Sequence, residues 1–547
     1  MRIKTCLLTL IAMSLLFSCQ SPKPADLIVH NATIYTVDNR FGQVQAMAIK
    51  GGKIIETGSG EEILKKYRSD EVIDLDGAYV YPGLIDPHCH FFGYGRSLEN
   101  ADLMGVSSFE EILDILTSHR EKFPSEWLLG RGWDQNLWPE KAFPHRSQLD
   151  ALFPDVPVLL TRVDGHAAIA NTEALQRAGV TAATRVEGGE VLLHNGEPTG
   201  ILIDNAIGLV RRMIPQADNQ AGINALLNAQ ANTFAVGLTS VSDAGLDSSD
   251  IRLIDSLQQA GDLKIRVYAM LSPTEENFET YLYKGPYKTD HLNIRSVKLF
   301  ADGALGSRGA KLIAPYSDEP ANSGLLVETP EYLAEIAQKA FDNGFQINTH
   351  AIGDSANRLM LTIYADILKE KNDLRWRIEH AQIIHPDDFE LFGQYSIIPS
   401  IQTTHATSDM IWALDRIGAE RLKGAYAYQQ LLQQNGWLPN GSDFPVEHIN
   451  PLYGFYAAFA RKNRNGHPEG GFQTENALTR EQAMRGMTIW AARAQFEENE
   501  KGSLEPGKFA DFIVVEKDLM TMPAEEILTL PIKFTFVNGE QVYASTK

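Results

Sequence analysis

Between residues 79 and 441, short apolar runs alternate with longer stretches of helical, mixed polar and apolar character. Eight runs stand out: Tyr79–Ile85, Leu238–Val241, Ile265–Leu271, Val297–Ala301, Phe345–Asn348, Arg375–Ile378, Ile397–Ile401 and Leu438–Gly441. A parallel sheet requires this alternation, because each crossover needs room for a helix. Eight such units predict an α/β fold of the (β/α)8 TIM-barrel type, with a doubly wound sheet as the alternative. The stretch at about 91–235 is too long for a loop and holds its own strand-like run, Val158-Leu159-Leu160. It predicts a subdomain inserted at the barrel's C-terminal rim. Both ends of the chain read differently. Leu27-Ile28-Val29, Thr33–Val37 and Ala46–Ile49 are short β-rich runs, separated by His30-Asn31, Asp38-Asn39 and Gly51-Gly52. Phe512–Val515 and Ile532–Val537 repeat the pattern, the second turning at Asn538-Gly539. One small β-sheet domain built from residues 26–79 and 501–547, around a barrel over 80–500, is expected.

Composition narrows the function classes. The 547 residues are 44% hydrophobic and 22% charged, as in an ordinary globular enzyme. A net charge of -21 argues against a nucleic-acid partner, which needs basic patches. The first residues read as a processing signal: Arg2 and Lys4, then the apolar stretch Cys6–Phe17, too short to span a bilayer. Leu16-Phe17-Ser18-Cys19 resembles the lipobox of bacterial lipoproteins, which implies a signal peptide over 1–18 and lipidation of Cys19. A secretory signal cut elsewhere is the alternative. Gln20 after the cysteine leans towards the outer membrane, so the expected location is the cell envelope, lipid-anchored on the periplasmic side. With Cys6 removed and Cys19 lipidated, only Cys89 remains, and no internal disulfide can form.

Candidate chemistry sits where the apolar runs end. The first run breaks at Pro82-Gly83 and continues to His88-Cys89-His90. Strand side chains alternate faces, so His88 and His90 point together and Cys89 points away. Two imidazoles on one face make a pair of metal ligands. The fourth run carries Lys298, the fifth leads to His350, the sixth to His380 and the eighth to Asp443. Each has a bland reading: an ion-pair lysine, core histidines, a helix cap. Their arrival at the same end of separate strands, where barrel active sites lie, favours a shared site.

This pattern resembles the amidohydrolase superfamily, and in particular amidohydrolase family 3. The resemblance rests on Val297–Ala310 (VKLFADGALGSRGA), Asn348–Asp354 (NTHAIGD), Arg377–Gln382 (RIEHAQ), Gly441–Val446 (GSDFPV), Asp164–Leu175 (DGHAAIANTEAL) and Gly502–Phe512 (GSLEPGKFADF). It implies that His88 and His90 hold a divalent metal with Asp443 beside it. His350 and His380 would hold a second, bridged by Lys298 as a carbamate. One or two ions are expected, and the imidazole-rich set favours zinc. The implied activity is hydrolysis of a non-peptide carbon–nitrogen bond, in an amide, cyclic amide or N-acyl compound, by metal-bound hydroxide, with Asp443 moving the proton. An esterase or lactonase on the same metal site, or an inactive ligand-binding surface lipoprotein, are the alternatives. His166, Asp302, Arg308 and His405 are candidates for binding a small-molecule substrate, with Asp134 and Asp409 nearby in the motifs. Trp133 and Trp138 read as subdomain core. The remaining expected partner is a membrane, through the Cys19 lipid; a homo-oligomer is left open.

Overall fold

The structure is a computed structural model that describes residues 22–215 and 218–546. The expected signal over 1–18 and the lipid acceptor Cys19 lie outside the described residues. No helix among the described residues is long and apolar enough to cross a membrane.

Eight parallel strands form the barrel: β1 (Leu84–Cys89), β2 (Leu238–Leu246), β3 (Arg266–Leu271), β4 (Leu292–Phe300), β5 (Gln346–Ala351), β6 (Arg377–His380), β7 (Ile398–Gln402) and β8 (Asn440–Gly441). Spatial order follows chain order, as repeated β/α crossovers of one hand produce. The helix Pro330–Asp342, between β4 and β5, shows how local sequence sets the outer layer. Thr329 accepts from the Tyr332 amide, Pro330 occupies the first turn, and Leu333, Ile336, Ala337 and Ala340 form its buried stripe.

The barrel closes where β8 meets β1. Just past β8, the Asp443 amide donates to the His88 carbonyl and the His90 amide to the Phe444 carbonyl, both at 2.8 Å. Gly441 permits the approach: a Cβ there would lie 2.6 Å from Asp86 Oδ1 and 2.9 Å from the His88 nitrogen.

The expected first run, Tyr79–Ile85, is divided. Tyr79–Pro82 pairs with Thr33–Tyr35 and Phe512–Val515 outside the barrel, and β1 starts only at Leu84. The hinge is Gly83, which passes so close to Thr239 on β2 that a Cβ would sit 2.3 Å from Thr239 Oγ1. The terminal strands form two sheets where one was expected. One has four strands, with Leu27–His30 between Ala46–Lys50 and Glu71–Asp74. The other has six, and joins Thr33–Tyr35 and Tyr79–Pro82 to the three C-terminal strands. The Asn538-Gly539 turn lies between Phe534–Val537 and Glu540–Ala544, both residues with positive φ (53° and 74°), as a tight hairpin requires.

Between β1 and β2 the chain builds a separate six-stranded mixed sheet, from Ala101–Asp102 to Glu197–Asp204. It has its own core, containing both Trp133 and Trp138. Trp133 donates its indole N–H to the Leu160 carbonyl at 2.8 Å, so its polar atom is used internally.

A buried ion pair ties the terminal sheet to the barrel. Arg266, at the start of β3, donates to Asp511 through Nε (2.6 Å) and Nη2 (2.9 Å), and further to the Asp290 carbonyl and Asn538 Oδ1. Both side chains are almost wholly shielded from solvent, so removing one partner strands the other's charge. Arg266→Ala is expected to destabilise the protein by about 3–5 kcal/mol. Denaturant unfolding measures this. The double variant Arg266→Met with Asp511→Leu should recover part of the loss; a single variant as stable as the parent would refute the coupling.

Candidate metal centre

The strand ends bring His88, His90, Lys298, His350, His380 and Asp443 to one place. His88, the penultimate residue of β1, faces the barrel axis, and Cys89 faces outward, donating its thiol to the Ser242 carbonyl at 3.3 Å. Lys298 lies on β4 and His350 on β5, both facing inward. His380 arrives differently. On β6, Arg377 and Glu379 share the inward face, so simple alternation would send His380 out. A left-handed backbone at His380 (φ 74°) instead turns its ring into the site. Asp443 (φ 64°) also sits in this sparsely populated region. Such strain in non-glycine residues collects where geometry serves function.

Asp443 Oδ1 is 3.5 Å from His88 Nε2 and 3.4 Å from His90 Nε2, and it accepts no hydrogen bond among the described residues although it is buried. Two ligands at about 2.1 Å from a tetrahedral ion lie about 3.4 Å apart, so these gaps have the size a metal requires. His88, His380 and Asp443 can each offer one ligand atom such that all three lie within 4.8 Å of one another. The His350 ring lies 4.6 Å from the His380 ring, centre to centre. Lys298 is almost fully buried, and its one hydrogen-bond partner among the described residues is His88 Nε2 at 3.4 Å. The donor set of imidazoles and a carboxylate fits a divalent ion.

Burial sets the charge states. It holds His350 and His380 well below the usual imidazole range, so both are neutral and able to ligate. It also brings the Lys298 ammonium down to about 8, against opposing pulls from Glu379 and Asp443. For Asp443, burial pushes upward, but the His88, His90 and His380 imidazoles around it outweigh that and hold the carboxyl well below its usual range, so it is ionised.

Residues the sequence reading did not single out support the ligands. Glu379 Oε2 meets His88 Nδ1 at 2.6 Å, and Gln402 Oε1 meets His380 Nδ1 at 2.7 Å. In both rings Nε2 is the nitrogen left for an ion. Asp86 accepts from the Ser442 hydroxyl (2.6 Å) and amide and from the His88 amide, bracing the closing seam. Its place two residues before His88, on the same strand face, was the available signal.

The expected substrate residues separate into two groups. His166 and His405 line a cavity of about 740 Å³ that opens onto the centre, beside Asp134, Asp409, Leu305 and Trp412. His166 Nδ1 is held by Asp204 at 2.6 Å. His405 Nε2 is buried, lies 3.8 Å from Asp443 Oδ2, and has no hydrogen-bond partner among the described residues. Asp302 and Arg308 do not line this cavity, although Asp302 Oδ1 lies 3.7 Å from His350 Nε2. Asp302 is fully buried and accepts from the amides of Lys311, Ile352 and Gly353 at 2.8–2.9 Å, which pins the loop after β4 to the end of β5. Arg308 is paired with Asp318 (2.9 Å) and Glu319 (3.2 Å) near the surface. The loop after β4 turns back on itself there, so closeness in sequence to Lys298 does not carry Arg308 to the site.

Comparison with known proteins agrees with this geometry. The family described as Amidohydrolase family matches residues 71–543. The chain is 34% identical to Protein LONG AFTER FAR-RED 3 of Arabidopsis thaliana, over 95% of this chain and 92% of that protein. It is 26% identical to the N-substituted formamide deformylase of Arthrobacter pascens, over 95% of this chain and 99% of that protein. A crystal structure of an uncharacterised metal-dependent hydrolase from Pyrococcus horikoshii OT3 superposes with a TM-score of 0.75 at 30% identity, over 91% of this chain and 99% of that one.

Asp302 and Arg308 make a contrast in stability. Asp302→Ala leaves three buried amides without an acceptor, at roughly 1–3 kcal/mol each. Arg308→Ala breaks a partly exposed ion pair and should cost under about 1 kcal/mol. Denaturant unfolding of both variants checks the order; an Arg308 variant with intact stability but a many-fold higher KM would restore Arg308 to the substrate pocket.

Proposed function

The chain belongs to the amidohydrolase family of metal-dependent hydrolases, and we propose that it cleaves a non-peptide carbon–nitrogen bond in an amide, cyclic amide or N-acyl compound. The carrying observation is the buried, unpartnered Asp443 Oδ1 at metal-ligand spacing from two imidazole nitrogens. The N-substituted formamide deformylase relative supports the carbon–nitrogen bond. In this reading His88 and His90 would hold a divalent ion, most simply zinc, with Asp443 beside it, and His350 and His380 would hold a second with Lys298 as a carbamate; His380 is also near enough to His88 and Asp443 to serve the first ion. Lys298 has the features such a modification needs: deep burial, and an amine whose ammonium form burial disfavours.

A divalent ion there supplies Lewis acidity and makes water a nucleophile at neutral pH. The chain's residues do the rest. Asp443 is ionised and reaches both the ligand cluster and the cavity, so it takes a proton from the attacking water and delivers it to the departing nitrogen. His405, 3.8 Å from Asp443 Oδ2 with its Nε2 unpaired, is placed to bind the polar group at the scissile bond. His166, braced by Asp204, orients the other side of the substrate. The apolar wall at Leu305 and Trp412 excludes bulk water and strengthens these interactions.

Asp443→Asn should lower kcat by at least about 10²-fold while changing KM much less. A screen of N-acyl amino acids, formamides and cyclic imides supplies the assay, and near-normal kcat in the variant would sink the assignment. Metal analysis should find one to two equivalents of divalent ion, with activity lost to a chelator; active protein without metal overturns the reading. The lipid anchor at Cys19 is part of the proposal and rests on the sequence alone. Cys19→Ala should move the protein from the membrane fraction to the soluble envelope fraction on cell fractionation.

A further inference from the structure

Resting on the metal reading above, we infer that Glu379 is a positioning residue that locks His88 in its metal-binding tautomer, and that Arg377 makes this lock work. An imidazole ligates through the nitrogen that carries no proton, and the partner of its other nitrogen decides which one that is. Glu379 is fully buried and can only accept hydrogen bonds. Its Oε2, 2.6 Å from His88 Nδ1, therefore requires the proton on Nδ1 and leaves the Nε2 lone pair directed at Asp443 and Lys298.

The carboxylate is itself held in orientation. Its Oε1 lies 2.7 Å from Arg377 Nε, and both side chains are wholly buried. That N–H is aimed at Asn348 Oδ1 (3.0 Å), and Glu379 Oε1 accepts no directed hydrogen bond among the described residues. The contact is thus charge on charge, with a cation fixed against one side of the carboxyl group. The neighbouring ligand shows the neutral version of the same device. Gln402 contacts His380 Nδ1 through its oxygen (2.7 Å) because its amide nitrogen is engaged by the Ser400 carbonyl (3.3 Å).

The Arg377 cation makes Glu379→Gln an informative change. The guanidinium repels an NH2 group and attracts an oxygen. The new amide therefore turns its oxygen to Arg377 and its NH2 to His88 Nδ1. Nδ1 must then accept, and the ring's proton moves to Nε2, where it blocks the ligand position. The side chain keeps its shape and the fold keeps its contacts, but the histidine presents the wrong nitrogen. Removing Arg377 as well frees the amide to turn its oxygen back towards His88.

The test measures zinc affinity by chelator competition on the purified full chain, beside thermal melts of the metal-free proteins. Glu379→Gln should bind zinc about 10–100-fold more weakly than the parent. It also leaves the buried Arg377 cation without its anion, so the metal-free melt should fall, and affinity is compared at a temperature below that melt. The double variant Glu379→Gln with Arg377→Met should regain most of that affinity. Unchanged affinity in the single variant overturns the inference while leaving the metal site standing. Equal loss in both variants overturns the tautomer lock. If the single variant fails to fold, the double variant decides alone, since binding more than about tenfold weaker than the parent refutes the role given to Arg377. A parent protein that binds no divalent metal, and that His88→Ala does not alter, would instead bring down the metal reading itself.

Discussion

The seam between the last and first barrel strands is the constraint on which the rest depends. Two backbone hydrogen bonds, Asp443 to His88 and His90 to Phe444, close the ring. The same bonds place the Asp443 carboxylate against the imidazoles of His88 on β1 and His90 just beyond it. Closing the fold and assembling the centre are therefore one event. Asp86 braces the seam from within by accepting from Ser442 and His88, and Gly441 lets the two backbones approach. A side chain at Gly441 or a lost acceptor at Asp86 would disturb both closure and the ligand spacing.

Beneath the ligands lies a layer of buried polar groups with no role at the surface. Glu379, Arg377 and Asn348 form a chain across β5 and β6, and Gln402 braces His380 from β7. Burying charge is costly unless it is paired, so this layer persists because each member fixes the next. Burial also keeps His350 and His380 neutral. The low-dielectric barrel interior thus sets both the orientation and the protonation of the ligands, and the inserted sheet adds one wall of the cavity above them.

Much of the fold was legible because it follows from periodicity. All eight apolar runs overlap barrel strands, and both β-rich ends contain strands. The departures have local causes. Tyr79–Ile85 counts as one barrel run, but its Pro82-Gly83 break leaves Tyr79–Pro82 in the terminal sheet and only Leu84 onward in the barrel. In the site, residues at strand ends were legible, as the rule for barrels predicts. Glu379 was not: it precedes His380, and alternation puts the two on opposite faces. Only the positive φ at His380 lets both point inward. Asp302 and Arg308 looked like pocket residues because they follow Lys298 closely, but loop geometry cannot be read from sequence proximity.

By itself, then, the sequence determined what period and residue type can encode: eight strands in order, imidazoles paired on one face, ligand types at the strand ends, and a cysteine turned away from them. Those properties are local, decided within a few residues. Tertiary structure alone decided the separations between strands far apart in the chain: the Asp443 gap to His88 and His90, the carboxylate behind His88, the cation behind that carboxylate. Such distances arise only when the barrel closes, because no local preference fixes where residue 443 lies relative to residue 88.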